Sequence, residues 1–193
     1  MSSRREPGQA TRSARHDFNR TMRTLLEEHV TWTRLMIISV AGELPDRSTT
    51  GGRLARSQAK IGETFRPFYG DLAGARIAKL LRDHVSRCVE LIETAKTGDT
   101  AALVQARAAN YLAGDEIAWF LTRVNPSNWP RRVIKRTIAT IVDLTLVEAL
   151  ARVHGDYFVD VVAYEQLHQE MLAVADLLAD GIVSQFPETF ASA

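Results

Sequence analysis

The 193-residue sequence lacks the features that mark several common classes of protein. It contains one cysteine, Cys88, which cannot form an internal disulfide, so nothing argues for an oxidising compartment. No window approaches the ~20 apolar residues that a bilayer span requires. The paired arginines near the start are not followed by an apolar run, as a secretion signal would need. We therefore expect a cytoplasmic protein without a membrane span.

The sequence also lacks most motifs of known catalytic and cofactor sites. Gly51-Gly52 has no Lys-Ser/Thr ending and no preceding strand, which excludes a phosphate-binding loop. A di-iron bundle needs two ExxH motifs, and only Glu165 to His168 supplies one. A HExxH zinc site and a serine nucleophile elbow are absent. Whether the protein is an enzyme stays undecided.

What is present is helical periodicity, interrupted by capping and breaking residues. Asp17, Asp71 and Asp156 are suited to begin helices, and Gly98 and Gly155 to end them. No strand-like alternation occurs. We predict an all-α bundle in three antiparallel hairpins, with helices near residues 17–41, 49–67, 71–97, 99–124, 130–154 and 156–185. A disordered basic arm is predicted for residues 1–16, one domain for 17–187 and a loose tail for 188–193.

A repeat lies within this helical pattern. Leu25-Leu26-Glu27-Glu28-His29-Val30-Thr31 returns as Leu80-Leu81-Arg82-Asp83-His84-Val85-Ser86. Ile61 and Ile117 follow the two histidines at nearly equal distances, and a third copy would carry Ile141 in the histidine's place and Met171 after it. The pattern therefore indicates three related hairpins with both histidines on inward-facing stripes.

Other polar residues lie on apolar stripes and predict a buried site. The candidate metal ligands are His29, His84, Asp115, Glu148 and His168. Buried histidines and carboxylates on facing helices either pair and fix the packing or converge on a divalent metal such as Zn, Fe, Mn or Ni. A third alternative is an organic ligand between helices, with Trp32, Tyr111 and Trp119 as walls.

Charge is distributed unevenly along the chain. Residues 1–82 carry a net charge of +7 and residues 137–193 a net charge of −8. The two parts either pair within one bundle or leave an acidic surface for a cation or a basic partner. Because no aromatic residues interleave the arginines of the first 16 residues, nucleic acid is not an expected partner.

The segments EEHVTWTR, RPFYG, DEIAWFL, NPSNWP and AYEQLHQEMLAVADLLADGIVSQF resemble a family of short bacterial proteins, over about residues 20–187. Members sometimes carry the label acetylglutamate kinase. That label implies an α/β fold with glycine-rich phosphate loops, and this sequence has neither. The resemblance implies a helical domain and supplies no mechanism.

The preferred hypothesis is binding of a divalent metal or small ligand inside the bundle. The alternative is a helical protein–protein interaction module. In it the histidines are structural, and the chain forms a homo-oligomer or binds another protein. An enzyme that uses the same residues on a single metal ranks below both.

Overall fold

The protein is all-α, with six long helices and a short seventh. The computed structural model describes the backbone of residues 7–191 and the side chains of residues 13–191, and no strand occurs among them. No described helix combines the length and apolar character that would let it cross a membrane. The helices are α1 (Pro7–Ala41), α2 (Arg47–Tyr69), α3 (Asp71–Thr97), α4 (Thr100–Val124), α5 (Arg131–His154), α6 (Tyr157–Gln185) and α7 (Pro187–Ala191).

The six long helices form a closed, antiparallel ring. Every second helix lies nearer to the axis of this ring. Each helix packs against the next one in sequence, and α6 returns to pack against α1. The odd-numbered helices α1, α3 and α5 also contact one another, whereas α2, α4 and α6 each pack against the two odd-numbered helices beside them. Three hairpins therefore surround one axis, as the sequence repeat predicts.

The connections between hairpin partners follow from local capping. Gly98 and Gly155 end α3 and α5 in the left-handed conformation, with φ of 74° and 76°. The next helices begin with aspartate caps. The Asp99 side chain accepts from the Ala102 backbone N–H, and Asp156 accepts from that of Val159. These boundaries match the predicted ones within a residue.

The predicted start of the first helix at Asp17 is wrong. Residues 1–6 of the proposed disordered arm lie outside the described residues, but α1 already begins at Pro7. Proline suits the first turn of a helix, and the alanines, glutamine and arginines that follow are compatible with helix. Asp17 consequently lies inside α1, where its carboxylate pairs with Arg20 at 3.1 Å.

The predicted loose tail is also wrong for the residues up to Ala191. Phe190 of α7 is buried, with its ring 5.3 Å from that of Phe18 and 5.8 Å from that of Phe68. This aromatic contact explains why α7 is held against α1.

The turn between α4 and α5 anchors one end of the bundle. Trp129 is fully buried and its indole N–H donates to the Leu177 carbonyl at 3.1 Å. The Asn125 amide donates to the Gly181 carbonyl at 2.9 Å. Both bonds end on α6 carbonyls, so two side chains of the turn attach it to α6.

Two glycines set the distance between α2 and α3. A Cβ atom added at Gly62 would lie 2.4 Å from the Gly74 carbonyl oxygen and 2.9 Å from the Ala78 Cβ. The nearest obstacle is backbone, which cannot rotate aside. The close approach of the two helices therefore depends on the absence of a side chain at Gly62.

We expect Gly62→Ala to destabilise the protein by about 1–3 kcal/mol, because the two helices must separate to admit the methyl group. Gly52→Ala, on the same helix, is the matched control. Nothing lies within 4 Å of a Cβ at Gly52, so the helix propensity of alanine should stabilise it by up to about 1 kcal/mol. Urea unfolding measures both changes, and equal effects would contradict this account of the α2–α3 contact.

Candidate functional site

The centre of the ring contains a cavity of about 80 Å³. All six long helices contribute to its lining, and nearly all of the lining is aliphatic. The cavity therefore lies on the axis about which the three hairpins are arranged.

The lining follows the sequence repeat. Equivalent positions in the three hairpins, separated by about 55 residues, line the same cavity. The equivalent sets are Leu26, Leu81 and Ile138; His29, His84 and Ile141; Val30, Val85 and Val142; and Ile61, Ile117 and Met171. The prediction that a third copy carries Ile141 in the histidine's position agrees with this arrangement.

His29 and His84 are the main polar groups of the cavity. Their exposed fractions are 6% and 9%, so the predicted burial is confirmed. The Nδ1 atoms of both rings are fully buried and have no hydrogen-bond partner among the described residues. A structural role would require each side chain to pair with a carboxylate or a backbone carbonyl. Neither side chain does so within the described part of the chain.

Burial keeps both rings neutral at physiological pH. Loss of hydration, with a smaller contribution from the neighbouring His84, lowers the pKa of His29 to about 4. Burial likewise lowers the pKa of His84 to about 4. Each ring therefore offers one N–H donor and one acceptor nitrogen at neutral pH.

These pKa shifts make folding stability depend on pH. Between about pH 4 and 6.5 the histidines are protonated in the unfolded chain and neutral in the folded protein, so the unfolded state binds more protons. Stability must then fall as the pH drops through this window. At its full extent, each pKa shift changes the free energy of unfolding by about 3 kcal/mol.

The structure does not bring Asp115 or the three predicted aromatic walls to the cavity. Asp115 lies on the surface of α4 and accepts from Lys135 at 3.1 Å. Trp119 and Tyr111 are exposed on the same face, and Trp32 lies under the guanidinium of Arg53, 5.0 Å from it. The predicted inward stripe of α4 therefore faces solvent.

Small residues on the opposite face explain this orientation of α4. A Cβ at Gly114 would lie 2.8 Å from a methyl group of Val142, so glycine permits close contact with α5. Asn110 is fully buried on that face, and its amide donates to the Arg87 carbonyl at 3.0 Å. The same side of α4 also buries Ile117, Phe120 and Leu121, so it combines close packing with apolar burial.

Glu148 and His168 also lie away from the cavity histidines. His168 is partly exposed on α6, with its Nε2 atom 3.4 Å from the Glu27 carboxylate. Glu148 is fully buried, but its partner is the Arg34 guanidinium at 2.9 Å. The five predicted ligands therefore do not converge.

Glu148 belongs to a buried ionic network that links α1, α5 and α6. Arg34 donates to Glu148 and also to both carboxylate oxygens of Asp160, at 2.8 and 3.2 Å. Arg152 donates to Asp160 at 3.2 Å, and Arg34 stacks on the Tyr164 ring. Both carboxylates are fully buried, so the two arginines supply the compensation that their desolvation requires.

Burial at the network shifts the pKa values of Glu148 and of the nearby Cys88. Burial raises the pKa of Glu148 to about 7, against the opposing effect of Arg34. Its Oε2 atom has no hydrogen-bond partner among the described residues. Burial and the nearby Glu148 raise the pKa of the Cys88 thiol to about 12, so this cysteine is not an activated nucleophile.

Sequence reasoning missed three members of this network. Arg34 lies one turn from the buried Val30 and Ile37, so its place beside the apolar face of α1 was a usable signal. Asp160 occupies the first turn of α6, where the helix dipole is sufficient reason to expect an acidic residue. Arg152, likewise, lies in the last turn of α5. Only the fold shows that the three meet.

No group of three or more histidine, cysteine, aspartate or glutamate side chains is arranged to hold a metal ion within the described part of the chain. The chain matches no protein family, no curated protein and no solved structure at a significant level. The resemblance to the short bacterial family therefore stays a prediction, and the site must be interpreted from its own chemistry.

For the ionic network we expect Arg34→Met to destabilise the protein by about 3–5 kcal/mol, because it leaves buried carboxylates short of a partner. Glu148→Gln should cost clearly less at pH 7, since the amide keeps the bond from Arg34 and burial raises the pKa of Glu148 to about 7, so that part of its charge is already lost. Urea unfolding at pH 7 compares the two variants. Similar losses in both would mean that Glu148 is ionised in the folded protein.

Proposed function

We propose that the protein binds a small, mostly apolar molecule with one polar atom, held between His29 and His84 in the central cavity. The observation that carries the proposal is the pair of buried, neutral imidazoles without hydrogen-bond partners on the wall of an aliphatic cavity. A buried polar group without a partner costs about 1–3 kcal/mol. A residue that lowers stability in this way is typical of a binding site.

Water has few free polar partners in such a site. A buried water molecule needs two to four of them. The lining offers the two imidazoles and the hydroxyl oxygens of Thr33 and Thr145, whose protons are already donated to the His29 and Ile141 carbonyls. Displacement of weakly held water by a molecule that fills the apolar space and contacts one imidazole is therefore favourable. The ligand needs a hydrogen-bonding atom, because otherwise both rings stay unsatisfied.

The cavity volume limits the ligand. An apolar cavity of about 150 Å³ holds benzene, with six non-hydrogen atoms, so 80 Å³ corresponds to roughly three to four non-hydrogen atoms. Short-chain ketones and alcohols have this size and one polar atom. At a ceiling of about −1.5 kcal/mol per atom, four atoms give about −6 kcal/mol, so Kd should be no tighter than tens of micromolar.

An organic ligand fits the site better than a divalent metal. Two imidazoles supply half of the four ligands that zinc usually takes, and no carboxylate joins them in the cavity lining. Elemental analysis of the purified protein tests the metal directly. Stoichiometric metal that is lost on substitution of either histidine would overturn the preference for an organic ligand.

The alternative function, an interaction module, is favoured by the exposed apolar face of α4. Val104, Leu112 and Trp119 are each more than half exposed along this face. The ion pairs Asp115–Lys135 and Glu116–Arg76 beside them carry both signs of charge, so two copies of the face do not repel. Under this alternative a second copy of the chain covers the face.

For the proposed ligand site we expect His84→Leu to raise stability at pH 5 and to weaken binding. The leucine removes an unsatisfied polar group, and it removes one of the two histidines whose protonation favours the unfolded chain below pH 6.5. Urea unfolding at pH 7 and 5 measures stability, and an NMR titration with acetone measures binding.

Ile141→Leu is the matched control, because Ile141 is the third-repeat equivalent of the histidines. It should keep both acetone binding and the pH dependence of the wild-type protein. A His84→Leu protein that is less stable at pH 5, together with a wild-type protein that does not bind acetone, would assign the histidines a structural role.

For the alternative we expect the wild-type protein to sediment as a dimer and Leu112→Glu to sediment as a monomer, because the glutamate places a charge in the centre of the apolar face. Phe158→Glu is the control, since Phe158 is 79% exposed on α6, whose main neighbours are α1 and α5 and not α4. Sedimentation velocity distinguishes the two species. A monomeric wild-type protein would remove the support for self-association.

A further inference from the structure

A groove on the surface between α2 and α3 lies directly outside the central cavity. Its α2 side consists partly of small residues, Gly51 and Ala55, and the Met36 side chain reaches it from α1. Val85 of α3 lines this groove and also lines the central cavity. At this position one side chain separates the cavity from the surface.

The exposure of Val85 differs from that of its equivalents in the sequence repeat. The equivalents of Val85 in the other two inner helices are Val30 and Val142, which expose only 3% and 1% of their surface. Val85, in contrast, is only partly buried. Leu81 and Ile141 of the lining are also partly buried, but neither of them lines the groove between α2 and α3, as Val85 does.

The neighbouring contacts hold this wall in place without covering it. The Gln58 side chain, which is buried in the groove, donates to the Leu81 carbonyl at 3.4 Å, one helical turn before Val85. A Cβ atom at Gly51 would meet only the flexible end of Met36, at 3.7 Å. Small residues on α2 and a flexible methionine thus leave the outer side of Val85 accessible.

We infer that small molecules enter the central cavity from the groove between α2 and α3, past the side chain of Val85. This entry route rests on the proposed ligand-binding function and adds to it the position of the gate. A valine on a helix strongly prefers one side-chain rotamer, so the position of the Val85 side chain between cavity and groove is its favoured one. Passage requires a brief displacement of Val85 and its neighbours and no unfolding of a helix.

The route predicts that Val85 controls the rate of exchange more than the affinity. Val85→Ala opens the wall, whereas Val30→Ala removes the same two methyl groups from an equivalent, enclosed position. Xenon is the probe, because a single apolar atom reports on access to the cavity without needing the histidines. Saturation-transfer ¹²⁹Xe NMR on the full-length protein measures both its binding and its exchange rate.

We expect exchange in Val85→Ala to be about tenfold faster than in Val30→Ala, a difference of about 1.4 kcal/mol in the barrier, with similar xenon affinities in the two variants. A second variant, Ala55→Phe, places a large side chain over the groove from α2, outside the cavity lining. It should slow exchange and leave the affinity unchanged, and it tests the route even if Val85→Ala does not fold.

Equal exchange rates in Val85→Ala and Val30→Ala, or unaltered exchange in Ala55→Phe, would overturn the entry route. Xenon binding without acetone binding would refute the proposed polar ligand and still measure the route. Absence of xenon binding in every variant would refute both, because the cavity would then be inaccessible.

Discussion

The mutual contact of α1, α3 and α5 is the constraint on which the rest of the structure depends. Three helices that meet around one axis bring equivalent residues of each hairpin to the same cavity, which is why the sequence repeat appears again in the cavity lining. Burial at that axis removes water from His29 and His84 and lowers the pKa of both rings. The neutral state of the histidines is a consequence of how the hairpins assemble.

The sequence predicts most of this framework because its signals are local. Aspartate caps, left-handed glycines and regular spacing of apolar residues act within one or two turns, and they place the helices from α3 to α6 within a residue of their observed ends. The histidine repeat adds a non-local inference, because two similar segments in similar hairpins occupy similar environments. Burial of both histidines follows from that similarity together with the apolar stripe on which each one lies.

The remaining features could not be predicted, because they depend on which face of a helix is chosen and on contacts between distant parts of the chain. In α4 apolar residues occur on both faces. The buried face is the one with Gly114 and Asn110, because Gly114 permits close packing and Asn110 forms a hydrogen bond to α3. Periodicity alone therefore placed Asp115 and Trp119 on the wrong side. The bond between Arg34 and Asp160 joins residues that are 126 positions apart, so no local pattern indicates it.

The protein contains two buried polar centres and treats them differently. At the Arg34 network each carboxylate has a guanidinium partner, which is the usual solution for charge in a protein interior. At the cavity no such partner exists, although the third hairpin shows that an aliphatic residue, Ile141, fits the equivalent position. Leucine or isoleucine would satisfy packing at His29 and His84 without an unpaired polar atom. The contrast between the two centres supports the proposal that the unpaired imidazoles serve a ligand from outside the chain.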